Sequence, residues 1–308
     1  MYTVAECVKT GISPGQYGHI EVNTAAQINT KTGGNANLEP EKADTYSGGV
    51  VFQPTFLQNF YMSVDYWDIV IQNTISSLPS TVVIQQCATG DGSTCNLIHR
   101  GSDGSLWTNT PGDYVSTNFQ NIGKVSTKGI DVLSSYRLDL PQGNKLSFNL
   151  NGTYTMAFDT QSLNGGPIYN CVGFYGSTCS APIPAWRHVF GTTWQTPWAG
   201  LDMTFRWRFI GPSSVDGTST NPLLSGNSYY IGADHIPGFN YFDFSASMPI
   251  GNNVDIRVGV NNIADKNPPV VPGGNLSSCP NTTCNDNTWV GTYDTLGRFI
   301  FGHITIKF

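Results

Sequence analysis

Apolar and polar side chains alternate with a period of two along most of this chain, and the pattern continues to the last residue. In GRFIFGHITIKF (297–308), the three isoleucines and Phe308 fall on one face, and the histidine, threonine and lysine fall on the other. Such alternation is typical of a β-strand whose two faces meet different surroundings. Read through the whole sequence, it predicts an all-β fold with nine long strands, at 41–53, 59–75, 124–139, 145–158, 185–196, 200–211, 238–248, 253–263 and 295–308.

The connections between these strands are alternately short and long. The four short ones each carry a proline, at positions 54, 141, 197 and 249, and the long polar segments are 76–123, 159–184, 212–238 and 264–294. Unstructured connections above about 15 residues are uncommon in compact soluble domains. Outer-membrane barrels, in contrast, have short turns at one end and long loops at the other. The asymmetry therefore predicts a transmembrane antiparallel β-barrel with long extracellular loops.

A closed sheet pairs every backbone N–H and C=O group, so it can cross a bilayer without a helix. In such a barrel the apolar rows face lipid and the polar rows face the water inside. The alternative fold is a soluble secreted β-sandwich. A sandwich would seal the same apolar rows beneath a second sheet and leave the polar rows outermost. The two folds are therefore distinguished by what covers the apolar face.

Composition excludes several classes of function. Charged residues make up only 12% of the 308 residues and the net charge is −6, with no basic cluster, so nucleic acid is not an expected partner. The five histidines are scattered without metal-ligand spacing. No motif of a nucleophile and its base is found. We therefore expect no enzymatic activity, no metal site and no cofactor.

Seven cysteines indicate an oxidising compartment. Six form three close pairs inside the long polar segments, which predicts disulfides between Cys87 and Cys95, Cys171 and Cys179, and Cys279 and Cys284. Zinc sites favour shorter spacings and a second ligand pair nearby, so metal binding is the weaker interpretation. Cys7 is left over, and its partner is expected upstream of this sequence.

The strand count predicts an incomplete barrel. Bacterial single-chain barrels have an even number of strands, and an odd count of nine leaves two sheet edges unpaired in lipid. The sequence also shows no signal peptide at its start. We therefore expect a C-terminal fragment, in which 1–40 is an extracellular loop region and 41–308 is the C-terminal portion of a barrel.

Four motifs occur in order along the chain: GGNANLEPEKADTYSGGVVFQP (33–54), KVSTKGIDVLSSYRLDL (124–140), VGVNNIADKNPP (258–269) and YDTLGRFIFGHITIKF (293–308). As an ordered set they resemble the late barrel strands of TonB-dependent outer-membrane receptors. The resemblance implies a barrel of about 22 strands, of which nine lie here. It also implies structural roles, not ligand contacts, for Leu38, Pro40, Glu41, Gly129, Asp131, Asn262, Asp265, Tyr293, Gly297, Arg298 and Phe308.

The resemblance further implies a function: energised uptake of a scarce extracellular ligand such as a siderophore, cobalamin or an oligosaccharide. The expected surroundings are outer-membrane lipid, a TonB-type energiser acting through a part of the receptor that this chain lacks, and a monomeric state. Passive porins, barrel adhesins and soluble secreted carbohydrate-binding proteins are the alternatives. Loop aromatics are candidate ligand contacts or, alternatively, pack the loops together: Trp107, Tyr169, Tyr175, Tyr229 and Trp289.

Overall fold

The computed structural model describes residues 2–21, 23, 27–90, 92–108, 112–163, 165–225, 234–271 and 288–307. Strands dominate this part of the chain: β1 (Thr30–Lys31), β2 (Lys42–Phe52), β3 (Phe60–Ser76), β4 (Ile98–His99), β5 (Tyr114–Ser116), β6 (Gln120–Asp139), β7 (Lys145–Gln161), β8 (Tyr169–Asn170), β9 (Phe174–Tyr175), β10 (Trp186–Gln195), β11 (Asp202–Ile210), β12 (Ser213–Val215), β13 (His235–Ile236), β14 (Phe239–Ile250), β15 (Val254–Asn261) and β16 (Phe299–Ile306). The helices are α1 (Val4–Lys9) and α2 (Ser80–Thr89), with short 3-10 turns at Pro14–Gln16, Cys95–Leu97, Pro141–Gly143 and Asp216–Thr218. Among these helices, none has the length and apolar character needed to cross a bilayer.

The chain divides into two compact units. Unit 1 comprises Met1–Ala43, Ile71–Lys124 and Gln161–Gly166, and unit 2 comprises Asp44–Val70, Val125–Thr160 and Pro167–Phe308. The predicted division at residue 40 is a separate hypothesis about topology across the membrane, and it stays a prediction.

All nine predicted strands are present, and they form one large sheet in chain order. The order is β16-β15-β14-β11-β10-β7-β6-β3-β2, with the short β8 added beside β7. Within this sheet the pairings β7-β10, β10-β11, β11-β14, β14-β15 and β15-β16 are antiparallel. Each long strand therefore pairs with its neighbours along the chain, as in an up-and-down barrel.

One boundary differs from the prediction at Pro249, which was expected in a turn but lies inside β14. Pro249 pairs with Asp255 of β15, whereas the pairing of β14 with β11 ends at Ser247. A proline lacks the backbone N–H that a second neighbour would need, so it fits where only one strand pairs.

The apolar face of unit 2 carries a row of aromatic rings. Ring centroids lie 6.3 Å apart for Phe52 and Phe60, and 6.4 Å apart for Phe60 and Tyr136, Tyr136 and Phe148, and Phe148 and Phe190. These residues come from five successive strands of the sheet order. Such a belt matches the aromatic girdles of outer-membrane barrels.

The same face remains open within the described residues. Phe205 is 42% exposed, Val258 54% and Ile300 73%, although all three lie in well-paired strands. A sandwich would bury these side chains beneath a second sheet. The fold is therefore the membrane-type sheet that the sequence predicts, and the sandwich alternative is wrong.

The buried core lies mainly in the connections. In unit 1, Leu78, Val83, Leu106 and Val115 cluster around α2 and β5. In unit 2, one cluster gathers Tyr175, Val215 and Phe239 with other loop residues, and another joins Cys171 and Cys179 to a fully buried leucine. The long connections thus form small sheets of their own, β9-β12-β13 and, together with β1 from the segment before β2, β4-β5-β1.

Candidate functional site

The polar face of the unit 2 sheet carries the charged side chains. The register sets Arg206 opposite Asp243, and Arg257 opposite Ser247, with each pair on the face opposite the aromatic rows. A cavity of about 560 Å³ opens on this face, and Tyr61, Arg206 and Arg257 are part of its lining. Arginine side chains beside an open cavity are expected on a water-filled wall and not in a dry core.

Arg208 lies at the centre of an ionic cluster on this face. Its Nε and Nη2 donate to the two carboxylate oxygens of Asp243 at 2.9 and 3.0 Å, and its Nη1 and Nη2 donate to Asp294 at 3.0 and 2.5 Å. The guanidinium also lies over the ring of Tyr241, 4.9 Å from the centroid. Paired bidentate bonds of this kind fix the geometry of both carboxylates. The cluster therefore ties the connection before β16 to β11 and β14.

The sequence predicted no role for Asp294 and no ion-pair partner for Arg208. Strand register alone sets Tyr241, not Asp243, directly opposite Arg208. The bond to Asp243 is a diagonal contact that long side chains reach across a sheet. The one feature of the sequence that could have indicated a role for Asp294 is its position next to the motif residue Tyr293.

The motif residues between β15 and β16 hold this connection in shape. Asn262 is fully buried, and its amide group exchanges two 2.9 Å hydrogen bonds with the backbone of Lys266. The backbone N–H of Asn262 donates to Asp243 at 2.9 Å. The carboxylate of Asp265 accepts the N–H of Arg298 at 2.8 Å, and Gly297 adopts a positive φ of 67°. These contacts are what a structural role requires.

Tyr293, in the same connection, is only 2% exposed and belongs to the buried cluster of unit 2 that contains Tyr175, Val215 and Phe239. Burial raises the pKa of its phenol. The last motif residue, Phe308, lies outside the described residues.

The earlier motif residues also make backbone-directed contacts. Glu41 immediately precedes β2, and its carboxylate accepts a hydrogen bond from the backbone N–H of Ile75 at 2.7 Å. Leu38 is half-buried, and Pro40 is exposed. Asp131 accepts a hydrogen bond from the Thr153 hydroxyl at 2.8 Å, across from β6 to β7. Their structural roles stay predictions that these contacts support.

Two of the three predicted disulfides form. Cys87 bonds to Cys95 and Cys171 bonds to Cys179, each across eight positions of the sequence. Cys279 and Cys284 lie outside the described residues. Cys7 is a free, half-buried thiol in the described part of the chain.

The loop aromatics proposed as ligand contacts are engaged within the loops. Trp107 donates its indole N–H to the carbonyl of Glu21 at 3.1 Å. Tyr169 packs against the Cys171–Cys179 cluster. Tyr175 and Trp289 are 0% and 3% exposed, and burial raises the pKa of Tyr175 to about 12. Packing of the loops is thus the role these contacts support, and ligand contact stays a prediction, as it does for Tyr229, which is outside the described residues.

A family model described as TonB dependent receptor-like, beta-barrel, matches residues 10–263. The chain belongs to the TonB-dependent receptor family. Members of this family are located in the bacterial outer membrane. In a comparison with curated protein sequences, none matches the chain.

Solved TonB-dependent receptors share the fold. A mutant of the ferric enterobactin receptor PfeA from Pseudomonas aeruginosa, in complex with enterobactin, matches 91% of the chain with a TM-score of 0.58 and 16% identity. The siderophore receptor PirA from Acinetobacter baumannii matches 90% with a TM-score of 0.53 and 14% identity, and the FrpB iron transporter from Neisseria meningitidis matches 90% with a TM-score of 0.50 and 13% identity.

The chain spans about a third of the length of each of these structures: 33% of PfeA, 33% of PirA and 32% of FrpB. All three are receptors or transporters by name, and none is an enzyme. At identities this low the likeness establishes the fold alone.

Proposed function

We propose that this chain forms part of the wall and the outer loops of a receptor that imports a scarce extracellular ligand across the outer membrane by TonB-dependent transport. The ligand belongs to the siderophore, cobalamin or oligosaccharide class. The energiser engages the receptor through a part outside this chain, and the whole receptor is a monomer. In this proposal residues 1–40 are extracellular and 41–308 form the barrel portion.

One observation carries the proposal: the same sheet presents an open apolar face and a charged face. Exposed aromatic and aliphatic rows suit lipid contact, while Arg206 and Arg257 beside a cavity suit a water-filled interior. A ligand path through a barrel requires this combination. The family match and the names of the solved relatives support uptake as its use.

Uptake by cells that produce the full-length receptor tests the proposal. Labelled ferric enterobactin, cobalamin and neutral oligosaccharides would be supplied to cells with and without the TonB-type energiser. We expect one of these probes to accumulate only when both the receptor and the energiser are present. Accumulation that continues without the energiser would contradict energised uptake.

Passive conduction is tested separately by liposome swelling with the purified full-length receptor. A gated receptor should cause no more swelling than protein-free liposomes, because its lumen is plugged. Rapid swelling in small sugars, with no energy source, would instead support the porin alternative.

A further inference from the structure

A groove in unit 1 differs in chemistry from the rest of the molecule. It has a volume of about 510 Å³, which is within the range of small-molecule sites. Six carboxamide side chains line it, and we call it the carboxamide groove: Asn35, Asn37, Asn73, Asn118, Gln120 and Asn121. They come from the segment before β2, the end of β3, the connection between β5 and β6, and the start of β6.

Two of these carboxamides fix the walls. Asn121 accepts the backbone N–H of Glu39 at 2.8 Å and donates to the carbonyls of Glu39 and Asn73 at 2.8 and 2.9 Å. Asn35 donates to the carbonyl of Phe119 at 2.9 Å and accepts the N–H of Asn37 at 2.9 Å. The segment before β2 is therefore held in place by side chains, so the groove is formed before any ligand arrives.

The other carboxamides keep hydrogen-bonding capacity for a ligand. Within the described residues, the side chains of Asn37, Asn73 and Gln120 make no hydrogen bond, and the buried Oδ1 of Asn118 has no partner. A buried carbonyl oxygen without a partner costs on the order of 1–3 kcal/mol, so the Oδ1 of Asn118 calls for a partner such as a water or a ligand donor.

The lining selects for the chemical class of that ligand. Each carboxamide offers donors and an acceptor without charge, as a sugar hydroxyl does, so the two match in both directions. Glu39 is the one charged residue among the described lining residues, and it is negative, which disfavours an anionic chelate. Leu97 and Ile122 add apolar surface suited to the C–H faces of a sugar ring.

We propose that the carboxamide groove binds a neutral polyhydroxylated ligand, namely a carbohydrate. The proposal of binding rests on the groove alone. Only the further step, that the bound carbohydrate is the imported ligand, rests on the proposed function.

Calorimetric titration of the full-length receptor in detergent tests the binding. The probes are hexaoses of glucose, xylose and mannose, with ferric enterobactin as the anionic comparison. The variant combines Asn73→Asp and Asn118→Asp, which keep side-chain size but replace donors by negative charge near Glu39. Asp also tolerates the positive φ of 55° at Asn73. The matched control is Gln53→Glu, an exposed carboxamide in the turn between β2 and β3.

We expect at least one hexaose to bind, the double variant to bind it at least tenfold more weakly, and the control to bind within twofold of the parent protein. Unchanged heat-modifiable migration on SDS gels verifies that both variants fold. The proposal is overturned if no hexaose binds, if the double variant binds as the parent does, or if only the anionic chelate responds to the variant.

Failure of the proposed function is distinguishable from failure of this inference. In cells without the energiser, labelled hexaose should still bind at the surface in a manner that the double variant weakens. If uptake continues without the energiser, the transport proposal fails while the groove assignment stands. If energised uptake is intact but the double variant does not weaken surface binding of the hexaose, the groove assignment fails while the transport proposal stands.

Discussion

Two residues illustrate how single side chains hold this sheet together. Asp243 gathers bonds from Arg208 and from the backbone of Asn262, so one carboxylate joins β11, β14 and the connection after β15. Gly129 acts by having no side chain. A Cβ placed there would lie 2.5 Å from the carbonyl oxygen of Tyr154 and 2.6 Å from the Trp67 ring.

Substitution of Gly129 by alanine should destabilise the receptor by about 1–3 kcal/mol, because the backbone carbonyl beside it cannot move away. The measurement is the urea midpoint of the full-length receptor in lipid vesicles. Gly302→Ala is the control, since a Cβ at Gly302 would meet nothing within 4 Å. Equal midpoints for the two variants would contradict a packing role for Gly129.

Asp243→Asn should cost about 2 kcal/mol, because it weakens charge-assisted bonds to a partly buried guanidinium. The comparison is Asp255→Asn, which removes a 2.8 Å ion pair with Lys307 whose side chains are 42% and 65% exposed. Exposed pairs of this kind contribute about 0–1 kcal/mol. Denaturant titration of both variants should rank them in that order, and the reverse ranking would count against the cluster around Arg208.

At the scale of elements, the sequence predicted the long strands well and the connections poorly. Period-two alternation located all nine strands, because each must expose one face to lipid and one to water. The connections carry no such constraint. Segment 76–123, expected as a polar loop, contains α2, whose buried residues Val83, Cys87 and Ala88 pack by tertiary contacts that a period cannot reveal.

Helix α1 was also missed, although its signal was present in the sequence. Thr3 and Glu6 form a capping box, in which each side chain accepts the backbone N–H of the other residue. The carboxamide groove was missed for a different reason. Its residues come from 35–37, 73 and 118–121, and only folding brings them together.

Replacing Cys171 and Cys179 by serine should loosen the connection between β7 and β10 while leaving the sheet intact. Disulfides across short loops contribute roughly 2–4 kcal/mol, and here both sulfurs are buried with Leu224. Hydrogen exchange of segment 169–183 in the full-length receptor should rise, whereas exchange in β10 should not. Cys7→Ser is the control because Cys7 forms no disulfide. Equal exchange of segment 169–183 in the two variants would argue against a stabilising role of the Cys171–Cys179 disulfide.

At the scale of the whole molecule, the two faces of the sheet are not interchangeable. Phe148 stacks between Tyr136 and Phe190 on the apolar face. Its neighbour Asn149 lies opposite Gly191 and beside the cavity on the polar face. A positive charge therefore has opposite consequences at two adjacent positions.

Phe148→Arg should reduce insertion of the full-length receptor into vesicles by a free energy of up to about 1 kcal/mol, the penalty for arginine on the lipid face near the membrane interface. Asn149→Arg should insert as the parent does, because Gly191 opposite it has no side chain to clash with the arginine and the cavity on this face can hold water. The fraction of heat-modifiable, protease-protected receptor measures both. Equal insertion of the two variants would contradict lipid contact on the aromatic face.

The ring of Phe301 on β16 has a consequence for assembly. It occupies the space above Gly259 that a side chain on β15 would otherwise fill. Sliding β16 by one position would strand this ring on the lipid side and turn its isoleucines toward water. The Phe301 ring fills the gap at Gly259 only in the observed register, so this pair favours that register of β16 over the neighbouring ones.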